Sequence, residues 1–420
     1  MKRIIFFVFI VNCAVFSQNK LEQFINAALK NNPTIKEHEN ARQIIRLDND
    51  LFRAENILPK ISLTANYQFF PYFNNGGQLV TANPGPDAVG YDIGITNGGF
   101  YSAQLNLEKN LFNGGLIEAL QNQNTVAEKT VSNNILVEEH NITKQVTDQY
   151  LAALQSQLNL SLANEIRNNL ANQMQFTKAL VEKGLAKQPD FLLLQIEEGN
   201  QKIEIARIYV EFKNNLAALY SMCGIKDTQT INLENASLVK SQAETGSSFL
   251  SKYDEDSLAL SAQQKVLETK YLPQLKVFFN TGLNAVELKG IQNKFGMSAG
   301  IDFSLPIYDG SQKEITRQQN IIGLKTINNY KNYFITELQS RRISADALIE
   351  ITEQNLTQIN RQLKSYESIL AIKKGELEHG QISMIEYLTI LRNYIDQKKN
   401  QIAAQIDYQI QINNYNYWNW

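Results

Sequence analysis

The chain has 420 residues, a formal net charge of −2 and 43% hydrophobic residues. That near-neutral balance gives no electrostatic reason to expect nucleic acid as a partner. His38, His140 and His379 lie far apart and share no ligand spacing, so the sequence argues for no metal site and reads each as a solvated helix residue. No Gly-rich lysine motif, nucleophile triad or cofactor fingerprint is present, which leaves an enzyme and a bound cofactor without support.

Residues 1–17 read as a secretory signal. Lys2 and Arg3 form a positive start, residues 4–11 an apolar core, and Ala14 to Ser17 a small-residue site for cleavage before Gln18. The apolar core is far short of the ~20 residues that span a bilayer. Cys13 follows Asn12 rather than the small residue a lipid-attachment signal wants. Removal of the signal leaves Cys223 alone, so no intrachain disulfide is expected. No later stretch is apolar enough for a transmembrane helix. An exported chain of this kind is periplasmic, secreted, or inserted through β-strands.

The predicted elements then follow in order. A helix over 20–57 leads to a strand at about 61–70. A Gly/Pro/Asn-rich loop separates it from a strand at about 100–111. A long helix over 115–182 ends at Gly184, and another covers 189–221. Residues 222–253 read as an irregular connector. A helix over 254–271, strands at about 274–284 and 296–307, a long helix over 311–378 ending at Gly380, and a helix over 384–415 complete the chain.

This order is one plan used twice, over 18–221 and 254–420. Leu58-Pro59 matches Leu272-Pro273. Leu111-Phe112-Asn113-Gly114 matches Ile307-Tyr308-Asp309-Gly310, and Glu182-Lys183-Gly184 matches Glu378-His379-Gly380. The last two matches share one offset (310 against 114, 380 against 184), so no net insertion separates strand exit from helix end. The first copy is longer only in the loop before residue 100, where insertions are tolerated.

All four strands alternate with period two. Ile61, Leu63, Ala65, Tyr67 and Phe69 oppose Ser62, Thr64, Asn66 and Gln68. Tyr101, Ala103, Leu105 and Leu107 oppose Ser102, Gln104, Asn106 and Glu108. Leu275, Val277, Phe279 and Leu283 oppose Lys276 and Asn280. Met297, Ala299, Ile301, Phe303 and Leu305 oppose Ser298, Gly300, Asp302 and Ser304. Phe69, Phe70, Tyr72 and Phe73 cluster as an interfacial aromatic girdle would. Alternation fits a soluble sheet with one wet face equally well. If the strands enter lipid, four cannot close a barrel, since the smallest use about eight. Open edges are not tolerated in hydrocarbon, so several chains must share one barrel. Two chains give about eight strands with a filled interior, whereas three give about twelve and room for a channel.

A helix over 115–182 would be about 100 Å long, which is coiled-coil rather than globular territory. Its apolar stripe steps by four from Ile142 through Val146, Tyr150, Leu154, Leu158, Leu162, Ile166 and Leu170 to Met174. Such a stripe winds around the helix and calls for neighbours on two sides. In the second copy Leu356, Ile359, Leu363, Tyr366 and Leu370 follow heptad spacing. Gly184 and Gly380 sit where left-handed helix ends place glycine, and the two turns are expected at one end of the molecule, away from the strands.

These features together resemble the TolC-type outer-membrane factors, the outer membrane efflux proteins. The resemblance rests on the Leu-Pro strand entries, on NLFNGG (110–115) and LPIYDG (305–310), and on EKGLAKQPDFLLLQ (182–195) and EHGQISMIEYLTIL (378–391). It implies a mainly α fold with a small β part, built from duplicated strand–strand–long-helix units. It further implies a homotrimer with a 12-stranded β-barrel on a long α-helical barrel. A passive duct through the outer-membrane lipid, with a periplasmic helical extension, would dock to a periplasmic adaptor and an inner-membrane transporter. Such ducts serve drug, metal and protein export, so cargo choice lies with the pump.

The resemblance also implies site residues. Gly184, Asp190, Gly380 and Glu386 fall at the periplasmic tip, where such proteins close an iris. Phe112, Gly114, Gly115, Tyr308 and Gly310 form the strand exits. The second carboxylate common in the family is Leu193 or Thr389 here, and a common arginine is Ile382, which weakens any charge lock at the gate. Asp190 and Glu386 are read equally well as acids favoured at a helix start by the macrodipole. The competing reading of the chain is a periplasmic coiled-coil scaffold or adaptor, which would not need the four strands.

Overall fold

The computed structural model describes residues 20–81, 84–92, 94–96, 98–226, 229–242 and 246–420. The signal segment, with Cys13, lies outside these residues. Among the described residues the chain is mainly helical with one four-stranded antiparallel sheet. It divides into two compact units, and each takes segments from both copies of the repeat. One unit comprises His38–Asn134 and Leu250–Asn332. The other comprises Ile135–Phe249, Tyr333–Trp420 and the N-terminal stretch as far as Glu37.

Helix lengths obey the duplication. Helices α3 (Leu116–Glu182) and α6 (Gln312–Glu378) have 67 residues each. Helices α4 (Gln188–Met222) and α7 (Met384–Trp418) have 35 each. The expected first helix is instead two, α1 (Lys20–Asn31) and α2 (Pro33–Asn56). Pro33 has no N–H to continue the ladder, and Asn32 caps the new start by accepting from the Thr34 and Ile35 amides at 2.7 and 3.2 Å. Helix α5 spans Ser251–Thr269. Among the described residues no helix is long and apolar enough to cross a membrane.

The sheet runs β1 (Lys60–Phe69), β2 (Gly99–Phe112), β3 (Gln274–Ala285), β4 (Phe295–Ser304), in that spatial order. Strand β4 stops at Ser304, short of 307, because Pro306 cannot donate to the ladder. Register joins like with like. Leu63 faces Leu105, Leu107 faces Phe279, and Val277 faces Ile301. The Tyr67 and Tyr101 rings stack at 5.0 Å. One face is therefore apolar across all four strands, and the other carries Ser, Thr, Asn and Gln, with Asn106 donating to Thr64 at 2.8 Å. The apolar face is uncovered: Leu63 is 76% exposed and Met297 74%. Strands β1 and β4 each pair on one side only.

The expected aromatic girdle is only partly surface. Tyr72 turns inward, buried, with its hydroxyl on the Thr96 carbonyl at 3.0 Å, and Phe70 meets Tyr91 edge-on. Loop closure has claimed these rings, since a buried phenol needs an acceptor and the loop supplies one.

Among the described residues the unit containing α4 and α7 holds three apolar clusters; the smallest gathers Ala345 and Ile349 of α6 with Ile412 and Tyr415 of α7, and α3 runs through the other two. The first of those two gathers Leu21, Phe24 and Ala28 of α1, Val146, Tyr150 and Leu154 of α3, and Phe212, Leu216 and Leu219 of α4. The second gathers Leu162, Ile166 and Leu170 of α3, Leu194 of α4, and Met384, Tyr387, Leu388 and Leu391 of α7. The step-of-four stripe on α3 thus serves both cores in succession, which is the winding its spacing requires. The connector contributes Leu233 and Ala236 to the first core. Its described residues from 225 to 242 lack regular structure but are tied down by side chains, and its end already belongs to α5, which starts at Ser251. Gln157 bonds both the amide and the carbonyl of Leu233 (2.7 and 3.0 Å), and the Tyr150 hydroxyl does the same for Glu234 (3.0 and 2.8 Å).

His140 corrects the reading of solvated histidines. Its ring stacks on Tyr417 at 4.9 Å and on Trp420 at 4.3 Å, with Nε2 at 3.0 Å from the Tyr417 carbonyl. Burial lowers its pKa. Spacing along one helix cannot reveal a partner 277 positions away.

Candidate functional site

Both long helices end in the same way. Gly184 adopts φ +71° and Gly380 φ +72°, the left-handed region open to glycine at little steric cost. Leu185 donates to the Leu180 carbonyl at 2.8 Å and Gly184 to Val181 at 3.0 Å; Gln381 donates to Glu376 at 2.8 Å and Gly380 to Leu377 at 3.0 Å. Each pair is a Schellman cap, which satisfies carbonyls the helix leaves open. The two turns are neighbours. A cleft of about 500 Å³ is lined by Leu185, Lys187 and Asp190 from one and by Glu378, Gly380 and Ser383 from the other.

The restarts differ. Helix α4 begins at Lys187 with no side-chain cap, and Pro189 presets its first turn. Helix α7 begins at Ser383, whose Oγ accepts from the Glu386 amide at 3.2 Å. Ser383 and Glu386 have the spacing of a capping box, but the Glu386 carboxylate meets Lys373 Nζ of α6 at 2.9 Å. Lys373 also holds Glu376 at 2.9 Å, and these two carboxylates raise its pKa, Glu376 foremost. Asp190 is half-buried at the edge of the cleft.

Apolar side chains occupy two of the positions where the resemblance led one to look for charge. Leu193 and Ile382 pack against the second core. Thr389 is exposed and bonds the Ile385 carbonyl. Charge lies instead along the α4–α7 seam. Arg392 meets Glu197 at 2.6 Å and Lys399 meets Glu204 at 2.9 Å, one heptad apart. Arg207, the larger influence, and Lys399 hold the Glu204 carboxyl down at about 2.

At the strand exits, Phe112 ends β2 beyond a bulge and faces Leu275. Gly114 packs so tightly that a Cβ there would lie 2.5 Å from that of Leu272, while Gly115 and Gly310 face open space. Tyr308 is 85% exposed just past β4. Asp309 accepts from the Lys313 amide at 2.8 Å, and the Tyr271 hydroxyl holds its carboxyl below the usual range. Sequence reasoning passed over Lys373, Ser383 and Tyr271. The Ser-x-x-Glu spacing was a readable signal for Ser383; Lys373 and Tyr271 act across a turn or a sheet and carried none. Among the described residues no group of His, Cys, Asp and Glu could hold a metal.

Residues 24–225 match the family model described as outer membrane efflux protein. The match covers just under half of the chain, and over those residues the chain is similar to the outer membrane efflux proteins. The fold agrees over its length. The Campylobacter jejuni CmeC outer membrane channel is 14% identical with a TM-score of 0.70, covering 95% of this chain and 85% of that one. The Vibrio cholerae outer membrane protein VceC is 11% identical with a TM-score of 0.70, covering 95% and 96%. The open-state Neisseria gonorrhoeae MtrE outer membrane channel is 14% identical with a TM-score of 0.68, covering 95% and 88%. No curated protein matches the sequence.

Proposed function

We propose that the chain is an outer membrane efflux protein, three copies of which share one twelve-stranded barrel and form a passive export duct. The observation that carries the reading is the sheet itself. Its apolar face is uncovered, and both of its edges are unpaired. In hydrocarbon an open edge leaves backbone donors and acceptors unsatisfied, and only closure removes it. Four strands per copy reach about twelve with three copies, the count that leaves an open lumen. The polar face then lines water and the apolar face meets lipid.

The long helices extend into the periplasm, where the turns at Gly184 and Gly380 meet a periplasmic adaptor and, through it, an inner-membrane transporter. Asp190 and Glu386 stand at the closing tip, and adaptor docking opens it by helix sliding. The strand exits at Phe112, Gly114, Gly115, Tyr308 and Gly310 mark the passage from barrel to helices.

Fractionation and crosslinking test this. The protein should follow the outer membrane, run as a detergent-resistant trimer, and conduct ions in a planar bilayer. Crosslinkers placed at 184–190 and 380–386 should capture an adaptor. A protein that stays soluble and monomeric would point to the periplasmic scaffold instead.

A further inference from the structure

The strands hold few charged residues: Lys60 in β1, Glu108 and Lys109 in β2, Lys276 in β3 and Asp302 in β4. Lys109 faces Val277 and shares the apolar face. The other four share the polar face, one to a strand. Lys60 stands directly opposite Glu108, and Lys276 directly opposite Asp302. Glu108 joins the pairs through an ion pair to Lys276 at 2.8 Å. The signs therefore alternate across the sheet, positive, negative, positive, negative, near the end where the helices attach.

The two outer members sit on the two open edges. Lys60 opens β1 and Asp302 lies near the end of β4, and both are exposed. An even number of strands means that alternation closes without conflict when β4 of one copy meets β1 of the next. We propose that Asp302 of each copy pairs with Lys60 of its neighbour, completing a ring of alternating charge that fixes which edges meet and in what register. The occupant of each edge is a second copy of this chain, and charge complementarity selects it. Like charges placed opposite one another in a sheet are destabilising, so the ring disfavours β1–β1 and β4–β4 joins. The inference rests on the shared-barrel reading above.

A zero-length carbodiimide tests it, since it joins an amine to a carboxylate only where the two touch. Within one chain Lys60 and Asp302 are three strand spacings apart, roughly 14 Å, beyond its reach. Treatment of the detergent-purified assembly should give covalent dimers and trimers on denaturing gels, with a peptide joining residues 60 and 302. Asp302→Asn and Lys60→Gln should each abolish that peptide while the assembly persists. Asp302→Lys should lower the detergent concentration at which the assembly dissociates further than Asp302→Asn does. An intact assembly with no 60–302 peptide, or bands unchanged in both neutral variants, would overturn the pairing and leave the duct standing. A protein that purifies only as monomer would overturn the shared barrel and the pairing together.

Discussion

The two helix turns share a backbone and differ in what holds them. At Gly184 and Gly380 the same left-handed glycine closes the same pair of hydrogen bonds. Beyond that point the first turn relies on proline and packing, while the second adds a serine cap and an ion pair from Glu386 to Lys373 on the preceding helix. Both turns keep the part that glycine supplies at the least steric cost. The side-chain restraints have diverged, and the second turn is the more firmly tied. If the turns form a closing tip, the first is the natural mover and the second the anchor.

Breaking the shared element should have the largest effect. Gly380→Val forces a β-branched residue into the left-handed region, at a cost of about 2 kcal/mol. Export should fail while the trimer still resists detergent; a stably expressed variant that exports normally would remove Gly380 from the tip. Lys373→Met should follow, freeing Glu386 and making the second turn behave like the first. The expected result is a rise in spontaneous openings in planar-bilayer recordings, and an unchanged record would make the ion pair incidental.

Smaller changes sharpen the contrast. Ser383→Ala removes the cap and should cost about 1 kcal/mol, read as faster amide exchange in the first turn of α7. Lys187→Ser supplies the cap that the first turn lacks and should gain a few tenths to 1 kcal/mol at the start of α4.

The α4–α7 seam gives the smallest term, and it depends on pH. Glu204 titrates at about 2 in the fold against 4.5 when free, so its contribution is complete above 4.5 and fades as pH falls toward about 2. Solvent screening limits it to a few tenths of a kcal/mol. Glu204→Gln should flatten that part of the acid stability profile. Cys223 offers a probe for such scans. It is buried, and burial pushes its thiol up to about 11, so a thiol reagent at neutral pH should label it only on opening.

The sequence by itself determined every feature that repeats at short range. Strand faces follow from period two, helix length from the absence of proline, and the turns from glycine. The duplication shows in the equal 67- and 35-residue helices. Even Asn32-Pro33 was a local signal, a capped helix start that the longer apolar pattern obscured. Tertiary structure alone decided what meets across distance. It placed His140 between Tyr417 and Trp420, laid the connector along Tyr150 and Gln157, and packed Leu193 and Ile382 against the second core. It also lined up Lys60, Glu108, Lys276 and Asp302 across four strands drawn from both halves of the chain. The physical reason is the range of the forces. Backbone dihedrals and hydrophobic period act within a few residues and are written in order along the chain. Register, ion pairs and ring stacking depend on which elements come to lie side by side, and that is settled only when the chain has folded.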